Sequence, residues 1–573
     1  MMLTHKFTRK YMKHIVLIII AATLLSACQS RTFSPEGDAR IRLNQCGYRP
    51  SGTRTAFVMC PARHFELVTL DGRTLQSGEV EPPLYWDDAA DTVRLIHFDT
   101  SLPEGEYRII VDDSIPSHPF RISPKAYGRL VRDVVRAYYY NRCSTAIDSV
   151  HGHGWARPAG HPDTCVLIHS SAASKKRPAG TKVSSPGGWY DAGDYGKYIV
   201  NSSITTYTLL LAATLYPQIV DTLRLNIPET GSSVPDLVSE ALYNLRWMLT
   251  MQDPDDGGVY HKMTTLNFEG FIMPDACRMQ RYMSAKSTAA SLDFAATMSF
   301  AARHLAAIDP GLAPLADSCR NAAVSAYAYA MSHPDKPFRN DAEISTGEYG
   351  DEHLSDEHYW AAVEMYLLDG SEEHYATLRR YASDYGVPEW AVVGTLAHYS
   401  VLLDDNERLR DDALSALQTI ARRLLSNAKA SPAGLTTNGF EWGSNSYVAN
   451  DAALLLITNR FDPQPEYRTA ALADIDYLLG CNATGFCYVT GAGQRSPQHP
   501  HHRPSSADAV SAPVPGFLVG GPNVIVPTDC GEPHRPAAVA KAYEDSECSY
   551  STNEVAINWN APLCLALLGV MAD

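Results

Sequence analysis

The segment Gly187-Gly188-Trp189-Tyr190-Asp191-Ala192-Gly193-Asp194-Tyr195 sets two carboxylates three residues apart among small residues and rings. Such a pair can point into one site, where it holds and deprotonates a water. A bare D-x-x-D also suits a turn or a helix cap, because Asp accepts backbone N–H groups there. A second acidic constellation is Tyr550-Ser551-Thr552-Asn553-Glu554-Val555-Ala556-Ile557-Asn558-Trp559-Asn560-Ala561. Glu554 stands at the entry of an apolar stretch expected to be helical as far as Met571. A first-turn Glu can serve only the helix dipole. A carboxyl among apolar and aromatic neighbours, however, has its pKa raised, as a general acid near neutral pH requires. Asp545 precedes Glu554 on the same approach.

The third constellation is Ser496-Pro497-Gln498-His499-Pro500-His501-His502-Arg503. Clustered His residues suggest a metal, but no H-x-x-x-H helix spacing exists and Pro500 breaks any helix. Hydrogen bonds donated by His501 and Arg503 to ligand hydroxyls fit the pattern better.

These residues need elements to position them. From about residue 41 to 122 the pattern is short strands and turns. Phe65, Leu67 and Thr69 alternate before an Asp71-Gly72 turn, and Tyr107, Ile109 and Val111 alternate after Pro103-Glu104-Gly105. Several such runs predict a small β-sandwich. The period then becomes helical. Stretches are expected at 126–142 and at 234–252, where Leu237, Ala241, Leu245 and Met248 share a face. Others fall near 286–307, 355–369, 388–403, 409–427, 446–459, 465–480 and 553–571. Long Gly/Pro-rich loops at 155–190 and 485–535 carry the Trp, Tyr, His and Asp residues above, so they are read as functional. A helical repeat architecture with a loop-built cleft follows.

Composition bounds the partners. The chain has 573 residues, with 48 Lys+Arg against 64 Asp+Glu, a net charge of −16. With 45% hydrophobic and 20% charged residues it has a globular balance. Acidity without a Lys/Arg run in the mature part excludes nucleic acid as a partner. Tyr outnumbers Phe, 31 to 15, which hints at a polar ligand with apolar faces. Lys6, Arg9, Lys10 and Lys13 precede an apolar run from Ile15 to Leu25, and Leu25-Ser26-Ala27-Cys28 follows. That order reads as a signal peptide ending in a bacterial lipobox. An ordinary secretory signal with a chance Cys is the alternative. The expectation is cleavage after residue 27 and acylation of Cys28. The product would be an outer-membrane lipoprotein of the bacterial cell envelope, facing the periplasm or the surface. Gln29 is not Asp, so nothing argues for inner-membrane retention. Cleavage removes four cations and no acid, which concentrates the acidity in the exported part and keeps it off anionic membranes. Of 12 Cys, Cys28 would carry the lipid. The odd remainder is no disulfide framework, although one or two bridges stay open.

Together the three constellations resemble glycoside hydrolase family 9, the β-1,4-glucanases with an (α/α)6 barrel. Tyr543, Asp545, Tyr550, Glu554, Ala556, Asn560 and Ala561 are similar to the family's C-terminal signature. Gly491 through Pro500-His501-His502-Arg503 resembles its His-containing signature, and the D-A-G-D segment the third. Ile41-Arg42-Leu43-Asn44-Gln45-Cys46-Gly47-Tyr48-Arg49-Pro50 resembles the opening of the immunoglobulin-like domain found in one branch. The implied layout is a linker at 28–38, an immunoglobulin-like β-sandwich at 39–123 and an all-α (α/α)6-barrel catalytic domain at 124–573.

The resemblance implies inverting hydrolysis of β-1,4-glucosidic bonds by a monomer without an organic cofactor. Asp194 would take a proton from water, Asp191 would help orient that water, and Glu554 would protonate the leaving oxygen. His501 and Arg503 would hold the sugar, and Asp545 would hydrogen-bond to the site. Trp189, Tyr190 and Tyr550 could offer stacking faces, although a core role fits each ring as well. Members of this branch often carry a structural zinc on two Cys and two His. Here Cys143 and His161 match, but Gly160 and Tyr190 stand where ligands are expected, so zinc is not expected. Asp351, Asp356 and Glu357 resemble the family's calcium loop, and hard carboxylates suit calcium. An acidic helix start capped by Ser355 is the plainer reading. Besides endo action on cellulose-like, mixed-linkage or xyloglucan chains, exo trimming of oligosaccharides remains open. A non-catalytic glycan-binding lipoprotein is the alternative of another class.

Overall fold

The computed structural model describes residues 36–50, 52–437, 439–526, 528–531, 536 and 538–572. Residues 1–27 and Cys28, with most of the 28–38 linker, lie outside the described residues. No helix among the described residues is long and apolar enough to cross a membrane.

The N-terminal part is a β-sandwich. One sheet runs β1 (Ile41–Arg42), β2 (Thr53–Val58), β6 (Asp91–Asp99), β5 (Leu84–Trp86). The other runs β4 (Thr74–Glu79), β3 (His64–Thr69), β7 (Gly105–Val111), β8 (Ile115–Pro116), with β9 (Phe120–Ile122) also on β7. Alternation decides the faces: Phe65 and Leu67 on β3, and Tyr107, Ile109 and Val111 on β7, point into one core with Ile96 and Phe98 of β6. Gly72 takes the positive φ of +89° that the turn after β3 requires.

The rest is a double ring of helices. Helix Ile199–Leu215 packs on Thr288–Ile308 and on Ile557–Ala572. Thr288–Ile308 continues to Ser355–Asp369, which continues to Leu396–Leu403, while Ser444–Phe461 packs on Ile557–Ala572. Outer helices Gly128–Tyr140, Asp236–Thr250, Ala313–Ser332, Glu372–Tyr381, Arg410–Ala430 and Pro465–Leu478 back this inner set, giving the (α/α)6 arrangement. The inner helices are buried on nearly every face. Ile199–Leu215 exposes only part of Thr214. A helix buried all round has no amphipathic stripe, and this one is absent from the periodic stretches of the sequence. Ala313–Ser332, rich in alanine, is likewise absent from them. The stretch at 388–403 is helical only from Leu396 on, and its first part is a loop carrying Glu389 and Trp390.

The Ile41–Pro50 segment also joins the two parts. Asn44 donates to Asp476 Oδ1 at 2.7 Å, and Arg54 pairs with Asp476 at 3.3 Å. Gln45 Oε1 accepts the backbone N–H groups of Gln494 and Arg495 at 2.9 and 2.8 Å. The loop at 155–190 is not structureless. It contributes β10 (Val166–Ile168) and β11 (Lys182–Val183) to a sheet with β12 (Lys197–Tyr198), β13 (Lys262–Thr264) and β14 (Tyr282–Met283), ordered β11-β10-β14-β13-β12. This sheet ties the D-A-G-D segment to the 261–284 loop. One disulfide, Cys530–Cys548, links the end of the second long loop to the approach to Glu554.

Candidate active site

The three constellations converge on Gly193. A Cβ there would lie 2.3 Å from the His501 carbonyl oxygen, 2.7 Å from its Cδ2 and 3.2 Å from Glu554 Oε1. Only glycine lets the backbones approach this closely. Arg503 donates from its backbone N and from Nη1 to the Gly193 carbonyl, at 3.2 and 2.6 Å. His501 and Glu554 pair as a parallel β-bridge, with His501 N donating to Asn553 O at 2.8 Å. Glu554 is therefore extended, with φ −69° and ψ 158°, and the following helix begins only at Ile557. It is not a first-turn residue, which removes the helix-dipole reading.

Each carboxylate has a different setting. Asp194 Oδ2 accepts from Gly196 N at 3.0 Å and from the Tyr198 hydroxyl at 3.2 Å, and the group lines the cleft. Asp191 is fully buried behind it, taking both oxygens' bonds from Asn201 Nδ2 at 2.9 and 3.0 Å and one from the Tyr349 hydroxyl at 2.9 Å. Burial, and then the Asp194 charge, push Asp191 up to about 8. Glu554 lines the cleft and accepts from Gly193 N at 3.3 Å. Desolvation, followed by the nearby Asp194, raises it well above the usual carboxylate range. Glu554 is thereby biased toward its protonated form in the cleft that Asp194 also lines, the bias a general acid needs.

The cleft encloses about 830 Å³. His501 and Arg503 line it, with Tyr550 half-buried at its edge. His501 donates through Nδ1 to the Glu547 carbonyl at 2.5 Å, and burial lowers its pKa. Nδ1 is thus engaged by the backbone, which holds the ring in place where it lines the cleft. Asp545 does not line the cleft. It braces the His loop, accepting from Gln498 N at 2.8 Å, His499 N at 2.9 Å and Asn553 Nδ2 at 3.1 Å.

Two expected stacking faces are core residues. Trp189 is fully buried, 4.6 Å from the Tyr138 ring, with its Nε1 donating to Glu240 at 2.8 Å. Tyr190 is 1% exposed and its hydroxyl bonds His161 Nδ1 at 2.8 Å. The backbone turn at Asp191 that presents Asp194 sends the rings before it inward. The cleft's aromatic walls are instead Trp390, Trp442, Trp559, Tyr349, Tyr447 and Phe268. Trp442 is 41% exposed and lies 5.4 Å from Tyr550. A signal for two of them was present. Glu389-Trp390 and Glu441-Trp442 are the same dipeptide, each just before an inner helix, and all four residues line the cleft.

Residues 127–567 match the profile of glycosyl hydrolase family 9, and residues 36–115 that of the cellulase N-terminal ig-like domain. The chain belongs to glycoside hydrolase family 9. It is 39% identical to a xyloglucan-specific endo-β-1,4-glucanase of Bacteroides ovatus, over 97% of both chains. It is 33% identical to endoglucanase D of Acetivibrio thermocellus, over 93% of this chain and 83% of the relative. A solved family 9 structure from Bacteroides ovatus superposes with a TM-score of 0.87 at 37% identity, covering 93% of this chain and 99% of that one.

Family 9 membership brings two metal questions. Asp351, Asp356 and Glu357 are joined by Asp293, from the interior of helix Thr288–Ile308. Both oxygens of Asp293, Oδ2 of Asp351 and Oε2 of Glu357 are buried without a hydrogen-bond partner. Burial and the neighbouring Asp356 hold Asp293 and Glu357 well above the usual range. This set fits a hard dication, which would replace protons on these carboxylates. Asp293 was invisible in the sequence, where it sits between Leu292 and Phe294. The four-ligand zinc set does not fit. Cys143 Sγ lies 3.3 Å from Asp163 Oδ2, and Asp163 pairs with Lys197 at 2.8 Å. A ligand side chain in place of Gly160 would strike the Pro274 backbone, 2.5 Å from its Cβ.

Proposed function

We propose that this chain is an endo-β-1,4-glucanase that inverts the anomeric centre, with Asp194 as general base and Glu554 as general acid. The carrying observation is that Asp194 and Glu554 reach one cleft from two distant segments, locked together at Gly193. Glu554 protonates the departing glycosidic oxygen. Asp194 takes a proton from the attacking water, and Asp191 fixes the loop behind it through Asn201 and Tyr349. An inverting pair needs room for that water between base and sugar. Trp390, Trp442 and Tyr550 offer faces to the C–H surfaces of successive sugar rings.

The Bacteroides ovatus relative, similar end to end, supports xyloglucan as substrate. The exposed rim residues Trp442 and Ile525 suit a branched chain that stays partly outside the cleft. Asp293, Asp351, Asp356 and Glu357 hold calcium, which fixes the wall that carries Tyr349. Cleavage at Cys28 and acylation place the enzyme on the bacterial envelope. Loss of labelled palmitate from Cys28→Ala, with activity kept, tests that placement. The function is tested by incubating the enzyme with xyloglucan, mixed-linkage glucan and cello-oligosaccharides. A rapid viscosity drop with mixed oligomers and first-formed α-anomers is expected. One short product from the start would mean exo action, and β-anomers first would mean retention.

A further inference from the structure

The loop between β13 and β14 folds over the segment carrying His161, and three side chains of metal-binding type meet beneath it. His161, Glu269 and Cys277 are 5%, 7% and 5% exposed. One ligand atom from each, a ring nitrogen, a carboxylate oxygen and the thiol sulfur, lies within 4.8 Å of the other two. The Nδ1 of His161 is taken by the Tyr190 hydroxyl at 2.8 Å. Its Nε2 is buried and has no hydrogen-bond partner among the described residues. A buried ring nitrogen is rarely left so. The Cys277 thiol reaches Glu269 Oε1 at 3.9 Å and the backbone at Met279.

We propose that His161 Nε2, Cys277 Sγ and Glu269 hold a divalent cation of the zinc class. The donor set selects that class. Imidazole with thiolate suits a borderline-soft dication, whereas calcium and magnesium take oxygen alone. Thiolate and carboxylate together cancel its charge. Bonds of about 2.0–2.3 Å place tetrahedral ligand atoms about 3.5 Å apart, so a small inward rotation of the three side chains closes the site. Three protein ligands leave the fourth position for water. Beside the site, Arg281 is paired with Asp163 at 3.5 Å. Cys143, whose sulfur faces Asp163, takes no part.

The site has a mechanical consequence. The Glu269 carbonyl accepts from Arg503 Nε and Nη2 at 3.0 and 2.9 Å, and Arg503 lines the cleft. The metal therefore pins the loop that supports a cleft arginine, acting as a positioning element outside the chemistry.

The test uses the full mature enzyme, stripped with a chelator and then titrated with zinc or cobalt chloride. Elemental analysis after dialysis should find stoichiometric zinc, and zinc should raise the unfolding temperature. Cys277→Ser and Glu269→Gln should each weaken zinc binding at least tenfold. The cobalt form should show a thiolate-to-metal charge-transfer band that Cys277→Ser removes and Cys143→Ser keeps. If Cys277→Ser does not fold, Glu269→Gln carries the affinity test. No retained zinc and no thermal shift would overturn the proposal. Zinc binding that survives Cys277→Ser and Glu269→Gln, or is lost only with Cys143→Ser, would do so too.

Discussion

Replacing Gly193 by alanine tests the convergence of the three segments. The new Cβ would sit 2.3 Å from the His501 carbonyl oxygen, where ordinary contact begins at 3.4 Å, so something must move by about 1 Å. The obstacle is backbone, and His501 cannot yield alone. Its N–H is bonded to Asn553 O at 2.8 Å and it is bridged to Glu554. The shift therefore reaches the proposed acid, whose Oε1 the new Cβ would also crowd at 3.2 Å. Overpacking of this kind costs about 1–3 kcal/mol of stability. A misplacement of about 1 Å between catalytic groups costs roughly 10²-fold in rate. Initial rates of reducing-end release, measured beside thermal unfolding, should show kcat down about 100-fold while the fold persists. Gly154→Ala, where a Cβ would meet nothing within 4 Å, is the control. A Gly193→Ala enzyme with kcat within about twofold of wild type would refute the geometry.

The raised pKa of Glu554 sets a sign. An acid must be protonated to act, so kcat/KM should persist above the ordinary carboxylate range and fall only as pH rises through that raised pKa, and a basic limb already complete by about pH 5 would exclude Glu554 as the acid. The raised pKa values of Asp293 and Glu357 mean that the folded state holds protons there more tightly than the unfolded chain. Without a cation, stability should be fullest below about pH 4 at this site and decline as pH rises through the folded values. Calcium should flatten that decline in unfolding temperature measured with and without chelator, and no difference between the two would remove the calcium assignment. Two tryptophans separate core from cleft. Trp189→Ala should cost about 3–5 kcal/mol in denaturant unfolding. Trp442→Ala should leave unfolding unchanged and raise KM about tenfold, as loss of a stacking face worth about 1.5 kcal/mol implies. Equal effects of the two on KM would restore Trp189 as a sugar platform.

The carboxylates were legible because their types and spacing are dictated by chemistry, and Asp194 and Glu554 stand in one cleft. The sandwich was legible because each of its sheets buries one face, so β3 and β7 alternate. Of the inner ring, Ile199–Leu215 alone escaped the periodicity, since it is buried all round and carries no period, while the other inner helices fall on periodic stretches. For Trp189 and Tyr190 the core role, one of the two the sequence left open, is the one realised, because adjacency in sequence says nothing about which way a ring turns. Asp545 lies near the site, but its contacts show a brace. Asp293 and the pairing of Cys530 with Cys548 depend on tertiary neighbours alone. The woven sheet β10–β14 uses strands of two or three residues, too short for alternation to register.

The assignment of acid and base is tested most directly by leaving-group dependence. Dinitrophenyl β-cellobioside releases a phenolate that needs no protonation, whereas cello-oligosaccharides need an acid. With Glu554→Gln, hydrolysis of the oligosaccharides should be lost and that of the dinitrophenyl glycoside largely kept. With Asp194→Asn, where water is no longer activated, both should be lost. Equal loss on both substrates in Glu554→Gln, or dinitrophenyl activity surviving in Asp194→Asn, would contradict the roles assigned to these two residues.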